Sequence, residues 1–201
     1  MTDSREATGG RPMKPEVEIE PAFDSHRARH QNFARDFWID KIRIRPVWAQ
    51  DRQRYLEFFR SLSPTTNAFR FLAMKKRLSE EELTYLTEPD DTSHVSLVAL
   101  LNDNGRDRIV GAARFIMLPD GTGGSDHAEL AVTVADEFQG KGIGARLVLG
   151  LVLFARKRGV QAFVLYASPG NTGVWKLVKR ISDRASRCVE GGVARITLSL
   201  S

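Results

Sequence analysis

The chain has 201 residues, 42% of them hydrophobic, and a formal net charge of +5. That length supports one well-filled core plus an appendage, and the basic residues are scattered, which argues against nucleic acid as the main partner. The lone cysteine, Cys188, has no partner for an internal disulfide and points to a reducing compartment. Met1 to Lys14 is polar, unlike a signal peptide. The longest apolar run, Leu147 to Ala155, is too short to cross a bilayer. The expectation is a cytoplasmic protein with no membrane partner.

Residues 1 to about 20 are rich in Pro, Gly and charge, a composition that favours disorder. Asp24 to Trp38 sets Phe23, Phe33, Phe37 and Trp38 near or among basic residues, leaving open a docking helix or a mobile segment. Residues 1–40 are therefore read as an extension and 41–201 as the folded domain. Lys41-Ile42-Arg43-Ile44-Arg45 alternates like a half-buried strand, and Pro46 ends it. Asp51 to Leu62 spaces Tyr55, Leu56, Phe58, Phe59 and Leu62 as a helix, and a second helix is expected from Pro64 to Phe71. Ser79 with Glu82 three residues on is a capping box; Pro89 closes that helix.

Strands are expected at Val95 to Leu101 and Ile109 to Leu118, around Asn104-Gly105, a dipeptide suited to positive φ in a tight hairpin. A turn follows at Pro119 to Gly124, then an alternating strand from Ala128 to Ala135. A helix carries Ile143, Leu147, Leu151 and Phe154 on one face and ends at Gly159, suited to a left-handed cap. Ala162 to Ala167 is a short apolar strand. Glu190-Gly191-Gly192-Val193 marks a last hairpin, and Ala194 to Leu200 completes an α+β, mixed-sheet layout.

The segment that carries chemistry is Gln139-Gly140-Lys141-Gly142-Ile143-Gly144, between a strand and a long helix. A helix's first turn has amide hydrogens without internal partners and a partial positive charge. Glycines there let an anionic group reach the backbone, and a diphosphate is the natural ligand. Lys141 and Arg146 add charge nearby. A Walker loop would need Ser or Thr after Lys141, where Gly142 stands. A dinucleotide fingerprint belongs to a parallel unit with an acid about twenty residues on, and Phe163 to Tyr166 offers none.

This turn resembles the Gln/Arg-x-x-Gly-x-Gly/Ala signature of the GNAT superfamily of acyltransferases. Ala128 to Phe138 is similar to the strand and bend that lead into it in bacterial protein-lysine acetyltransferases, as are Arg43 through Phe71 and Glu190 to Val193. The resemblance implies a mostly antiparallel mixed sheet flanked by helices, splayed between the fourth and fifth strands, with acetyl-CoA as co-substrate in the gap. It assigns the cofactor arm to the strand edge at Leu130, Val132, Thr133 and Val134, and the pyrophosphate to the main chain of Gln139, Gly140, Lys141, Gly142, Ile143, Gly144 and Ala145. Asn171 matches the family's Asn that contacts the arm.

Two departures stand out. Val178 occupies the place of a Tyr that in many members protonates the leaving thiolate, and Ile181-Ser182-Asp183 replaces the usual Gly-Phe. Glu129 matches the acidic position near the start of the strand in the lysine acetyltransferase branch, and a carboxylate there can take a proton from an attacking amine. It is the candidate base, with Asp126 and His127 as backups. The acceptor is expected to be a protein lysine, with a small amine as alternative; a further alternative is a non-catalytic acetyl-CoA sensor. No metal is expected, since the four His and one Cys lack ligand spacing. His94 and His127 are read as surface or loop residues, Cys188 as a buried or inert thiol, and Trp175 as core.

Overall fold

A computed structural model of the chain describes residues 37–39, 41–119 and 126–200. Among these, eight strands form one sheet: β1 (Phe37–Ile39), β2 (Ile42–Pro46), β3 (His94–Asp103), β4 (Arg106–Met117), β5 (His127–Val134), β6 (Ala162–Ala167), β7 (Ser186–Glu190) and β8 (Val193–Ser199). Their spatial order is β1-β2-β3-β4-β5-β6-β8-β7. All neighbours are antiparallel except β5 and β6. The expected mixed, mostly antiparallel sheet is present. Its first strand was not anticipated: Phe37–Ile39 extends the edge beside β2. The rest of the 24–38 segment and the turn over 120–124 lie outside the described residues.

Five α-helices among the described residues cover the sheet. Helices α1 (Arg52–Ser61), α2 (Pro64–Phe71) and α3 (Glu80–Thr87) lie on one face, and α4 (Ile143–Arg156) and α5 (Thr172–Ile181) on the other. Alternation along the strands divides the core accordingly. Val95, Leu97, Phe115 and Leu130 pack with Leu147 and Leu151 of α4. Val98, Leu100, Ile109 and Ala112 pack with Tyr55, Phe58 and Leu83. With both faces covered, β3 reads as a continuous apolar run.

The local signals act as expected. Asn104 and Gly105 have φ of 51° and 85°, and Gly191 and Gly192 have 56° and 78°, so both hairpins turn through the left-handed region. Ser79 and Glu82 form the reciprocal cap of α3. Gly159, at φ 77°, ends the turn after α4.

One residue departs from the simple alternating picture. Arg45 is buried, and its guanidinium donates to both oxygens of Asp51, at 2.6 and 2.8 Å. It also lies 3.8 Å from the Trp48 ring and donates to the Pro46 carbonyl. The Asp51 carboxylate accepts from the Trp48 amide as well. Burial alone would raise its pKa, but the hydrogen bond and charge of Arg45, the Trp48 amide and Arg54 outweigh that and hold it below the usual range. The pair fastens the end of β2 to the start of α1.

Candidate active site

The site is set by where β5 and β6 stop pairing. Their parallel register runs only through His127↔Ala162, Ala128↔Phe163 and Glu129↔Val164. Beyond Glu129 the strands diverge around a cleft of about 850 Å³. On its other side β5 stays paired with β4 as far as Gly111↔Val134. The Ala135 amide donates to Val110, and the Leu118 amide to His127. Antiparallel alternation then turns the main-chain groups of Leu130, Val132 and Val134 into the gap and those of Thr133 toward β4. Thr133 instead lends a buried hydroxyl without a partner among the described residues.

At the floor of the gap, α4 begins without a side-chain cap. Its N-cap is Gly142, at φ 83°, and Gly140 has φ 74°. Both positions need the left-handed conformation that costs other residues about 1 kcal/mol or more. The result is a first turn whose amides, from Ile143 to Ala145, lack intrahelical acceptors and face a cleft. An orphaned hydroxyl, a free strand edge and an uncapped helix of 14 residues together suit a diphosphate with an extended amide-bearing arm. Leu130, Val132, Thr133, Val134, Gln139, Gly140, Gly142, Ile143, Gly144, Ala145 and Asn171 all line the cleft. Lys141 does not; its ammonium sits 5.0 Å from the Phe138 ring.

Some of these side chains are already engaged. Gln139 donates to the Val134 carbonyl and to Thr66 Oγ1, both at 3.1 Å. Asp136 accepts from the Ser63 amide and from the hydroxyls of Ser63 and Thr66, at 2.9, 2.7 and 2.7 Å. Helix α2 is thereby latched to the bend that leads into the glycine turn. Asn171 caps α5 by accepting from the Val174 amide at 3.2 Å.

Glu129 occupies the fork itself, paired with Ile116 on one side and Val164 on the other. It is half-buried, lines the cleft and faces the side of α1 to α3. The backups lie elsewhere: His127 Nδ1 and Asp126 Oδ1 are 2.8 Å from each other, before the fork, and neither lines the cleft. Tyr166, not singled out from sequence, lines it across from β5. Alternation along β6 places Tyr166 on the face of Val164, hence on that of Glu129, a signal already present in Ala162 to Ala167. Val178 is fully buried beneath α4 and cannot carry a proton to the cleft.

Two expectations are corrected. His94 is not a surface residue: it is buried, stacked 4.7 Å from Tyr85, and burial with the Arg114 charge lowers its pKa to about 4 despite Asp90. Cys188 is exposed because β7 is the sheet's edge, although its bond to Glu190, with that carboxylate's charge, raises its pKa and quietens it. Trp175 packs partly buried against the α4-side core. Among the described residues no group of three or more His, Cys, Asp or Glu is placed to hold a metal, and no helix is long and apolar enough to cross a membrane.

The model of the acetyltransferase (GNAT) family matches residues 53–182. The chain belongs to this family. Its co-substrate is accordingly acetyl-CoA, which the cleft geometry fits. Acetyltransferase PA5475 of Pseudomonas aeruginosa is 33% identical over 142 residues, covering 68% of this chain and 74% of that protein. Acetyltransferase Pat of Mycolicibacterium smegmatis is 31% identical over 138 residues, covering 69% of this chain but 40% of that longer protein. The GNAT domain of S. lividans PAT superposes with a TM-score of 0.70 at 27% identity, covering 79% of this chain and 90% of that one.

Proposed function

We propose that this GNAT acetyltransferase moves the acetyl group to a lysine side chain of a protein, with Glu129 as the general base and residues 41–201 as the catalytic domain. The observation that carries the reading is the place of Glu129: a half-buried carboxylate at the fork of β5 and β6, facing the α1 to α3 side. The donor's phosphates lie at the amides of Gly140 to Ala145, and its arm adds to the free edge at Leu130, Val132 and Val134. The acceptor enters from the opposite side, over α2. The resemblance of Ala128 to Phe138 to bacterial protein-lysine acetyltransferases supports lysine as the amine.

Lysine arrives protonated, so its nitrogen is no nucleophile until a base removes a proton. Glu129 takes it, and the neutral amine attacks the thioester carbonyl carbon. The oxyanion that forms is held by a main-chain amide of the open β5 edge, already oriented before the reaction. When the C–S bond breaks, Tyr166 protonates the thiolate in place of the family's Tyr at position 178, and the second nitrogen proton, shed as the amide forms, passes through solvent to restore the tyrosine. No covalent enzyme intermediate is involved.

The test is an assay of purified protein with labelled acetyl-CoA and a panel of lysine proteins, peptides and small amines, read by mass spectrometry. Acetylated lysine on protein or peptide is the expected product. Transfer confined to free small amines would contradict the lysine reading.

A further inference from the structure

On the acceptor side of Glu129 the structure holds more positive charge than it neutralises. Arg70 of α2 lines the cleft and lies within electrostatic reach of Glu129, Tyr55, Tyr85 and Arg114. Arg114 is paired across β4 and β5 with Ala131, two residues from Glu129 on the same face. Neither guanidinium forms an ion pair among the described residues. Each rests on a ring instead: Arg70 is 5.0 Å from Phe71, and Arg114 is 4.9 Å from Tyr85. Arg114 Nε and Nη1 are buried without hydrogen-bond partners. Burial and the neighbouring Arg114 charge both press Arg70 below its ordinary pKa, more than the Glu129 and Tyr charges restore.

Two like charges within electrostatic reach of each other, one of them with buried orphan nitrogens, are costly in a folded protein. A guanidinium is also the side chain best shaped to grip a carboxylate. The surface above continues the pattern. After α2 the chain exposes Leu72, Met74, Lys76 and Arg77, and Leu72 lines the cleft. We infer that Arg70, backed by Arg114, forms a carboxylate-binding subsite that selects acceptors bearing an acidic group beside the amine to be acetylated. In a protein this means an Asp or Glu flanking the target lysine. In a small acceptor the same chemistry would come from its own carboxylate.

The inference rests on the acceptor entering over α2, as proposed above, and it is tested separately from lysine acetylation. Matched peptides with Asp-Lys, Asn-Lys and Lys-Lys at their centre are compared by kcat/KM, alongside free lysine and cadaverine, which differ by one carboxylate. The Asp peptide is expected to exceed the Asn peptide roughly tenfold, the worth of one charged hydrogen-bonded contact, with Lys-Lys poorer still. In Arg70→Gln the ratio should fall toward one, and Arg70→Lys should restore part of it. Equal rates for the Asp and Asn peptides, or a ratio unmoved by Arg70→Gln, would overturn the subsite. If only the small amines react, lysine preferred over cadaverine supports the subsite while refuting a protein acceptor; cadaverine reacting equally well overturns it. The wild-type panel carries the test even if an arginine variant fails to fold.

Discussion

The molecule holds arginine in two ways, one buried at Arg45 and one half-buried at Arg70 and Arg114. At the end of β2, Arg45 meets Asp51 with two short hydrogen bonds, a ring and a carbonyl, and its carboxylate partner is satisfied in turn. Beside the cleft, Arg70 and Arg114 each rest on an aromatic ring, within electrostatic reach of one another. The first arrangement is closed around its carboxylate: Arg45 holds both oxygens of Asp51, leaving only its Nε without a partner among the described residues, and the pair fixes the start of α1. The second is open: it has no ion pair among the described residues, and in the subsite inferred above the acceptor's carboxylate would supply one. What distinguishes Arg45 from the two arginines beside the cleft is a carboxylate at hydrogen-bond distance, since orphan nitrogens occur on both sides.

The largest effect expected from breaking this contrast is at the closed pair. Asp51→Ala leaves Arg45 buried without its carboxylate and should cost about 3–5 kcal/mol in urea unfolding. A loss under 1 kcal/mol would show that water or a neighbour replaces Asp51.

Next is the pH response of the open side. His94 has its pKa lowered from 6.5 to about 4, so the folded protein refuses a proton that the unfolded chain accepts. Above pH 6.5 both states are neutral there. As pH falls from 6.5 to about 4 stability drops, by up to about 3 kcal/mol, and this contribution then levels off. His94→Phe, which keeps a ring against Tyr85, should flatten that slope in unfolding titrations; an unchanged slope would place the acid sensitivity elsewhere.

Smaller, and opposite in sign to Asp51→Ala, is Arg114→Met. Removing an open charge should leave the melting temperature unchanged or raise it, by an equivalent of about 1 kcal/mol. A marked fall would mean that Arg114 is structural after all. At the glycine turn, Gly142→Ala puts a Cβ at φ 83°, costing about 1 kcal/mol and weakening coenzyme A in calorimetry. No change in affinity would move the diphosphate off that turn.

Much of the scaffold was legible because its signals are local. Asn104-Gly105, Gly191-Gly192, the Ser79–Glu82 cap and the α4 stripe each depend on a few neighbouring residues. The glycine turn at the head of α4 was legible for the same reason, since the turn and the helix after it are contiguous. Arg45 and His94 were not, because alternation along a strand says which residues share a face, not whether a helix covers it. Helices α1 and α3 cover both. Cys188 failed in the opposite sense: β7 has a partner on one side only, which depends on strand order. Arg70, Arg114, Tyr166 and Glu129 come from four elements, and only tertiary structure gathers them. Of these, only Glu129 was reached from sequence, through a resemblance.

The central claim is that Glu129, at the fork, removes the proton from the attacking amine. Steady-state kinetics of Glu129→Gln, with coenzyme A binding measured on the same preparation, tests it most directly. The account predicts a loss in kcat of roughly a hundredfold or more, with coenzyme A affinity nearly unchanged. Full activity in the variant would contradict it.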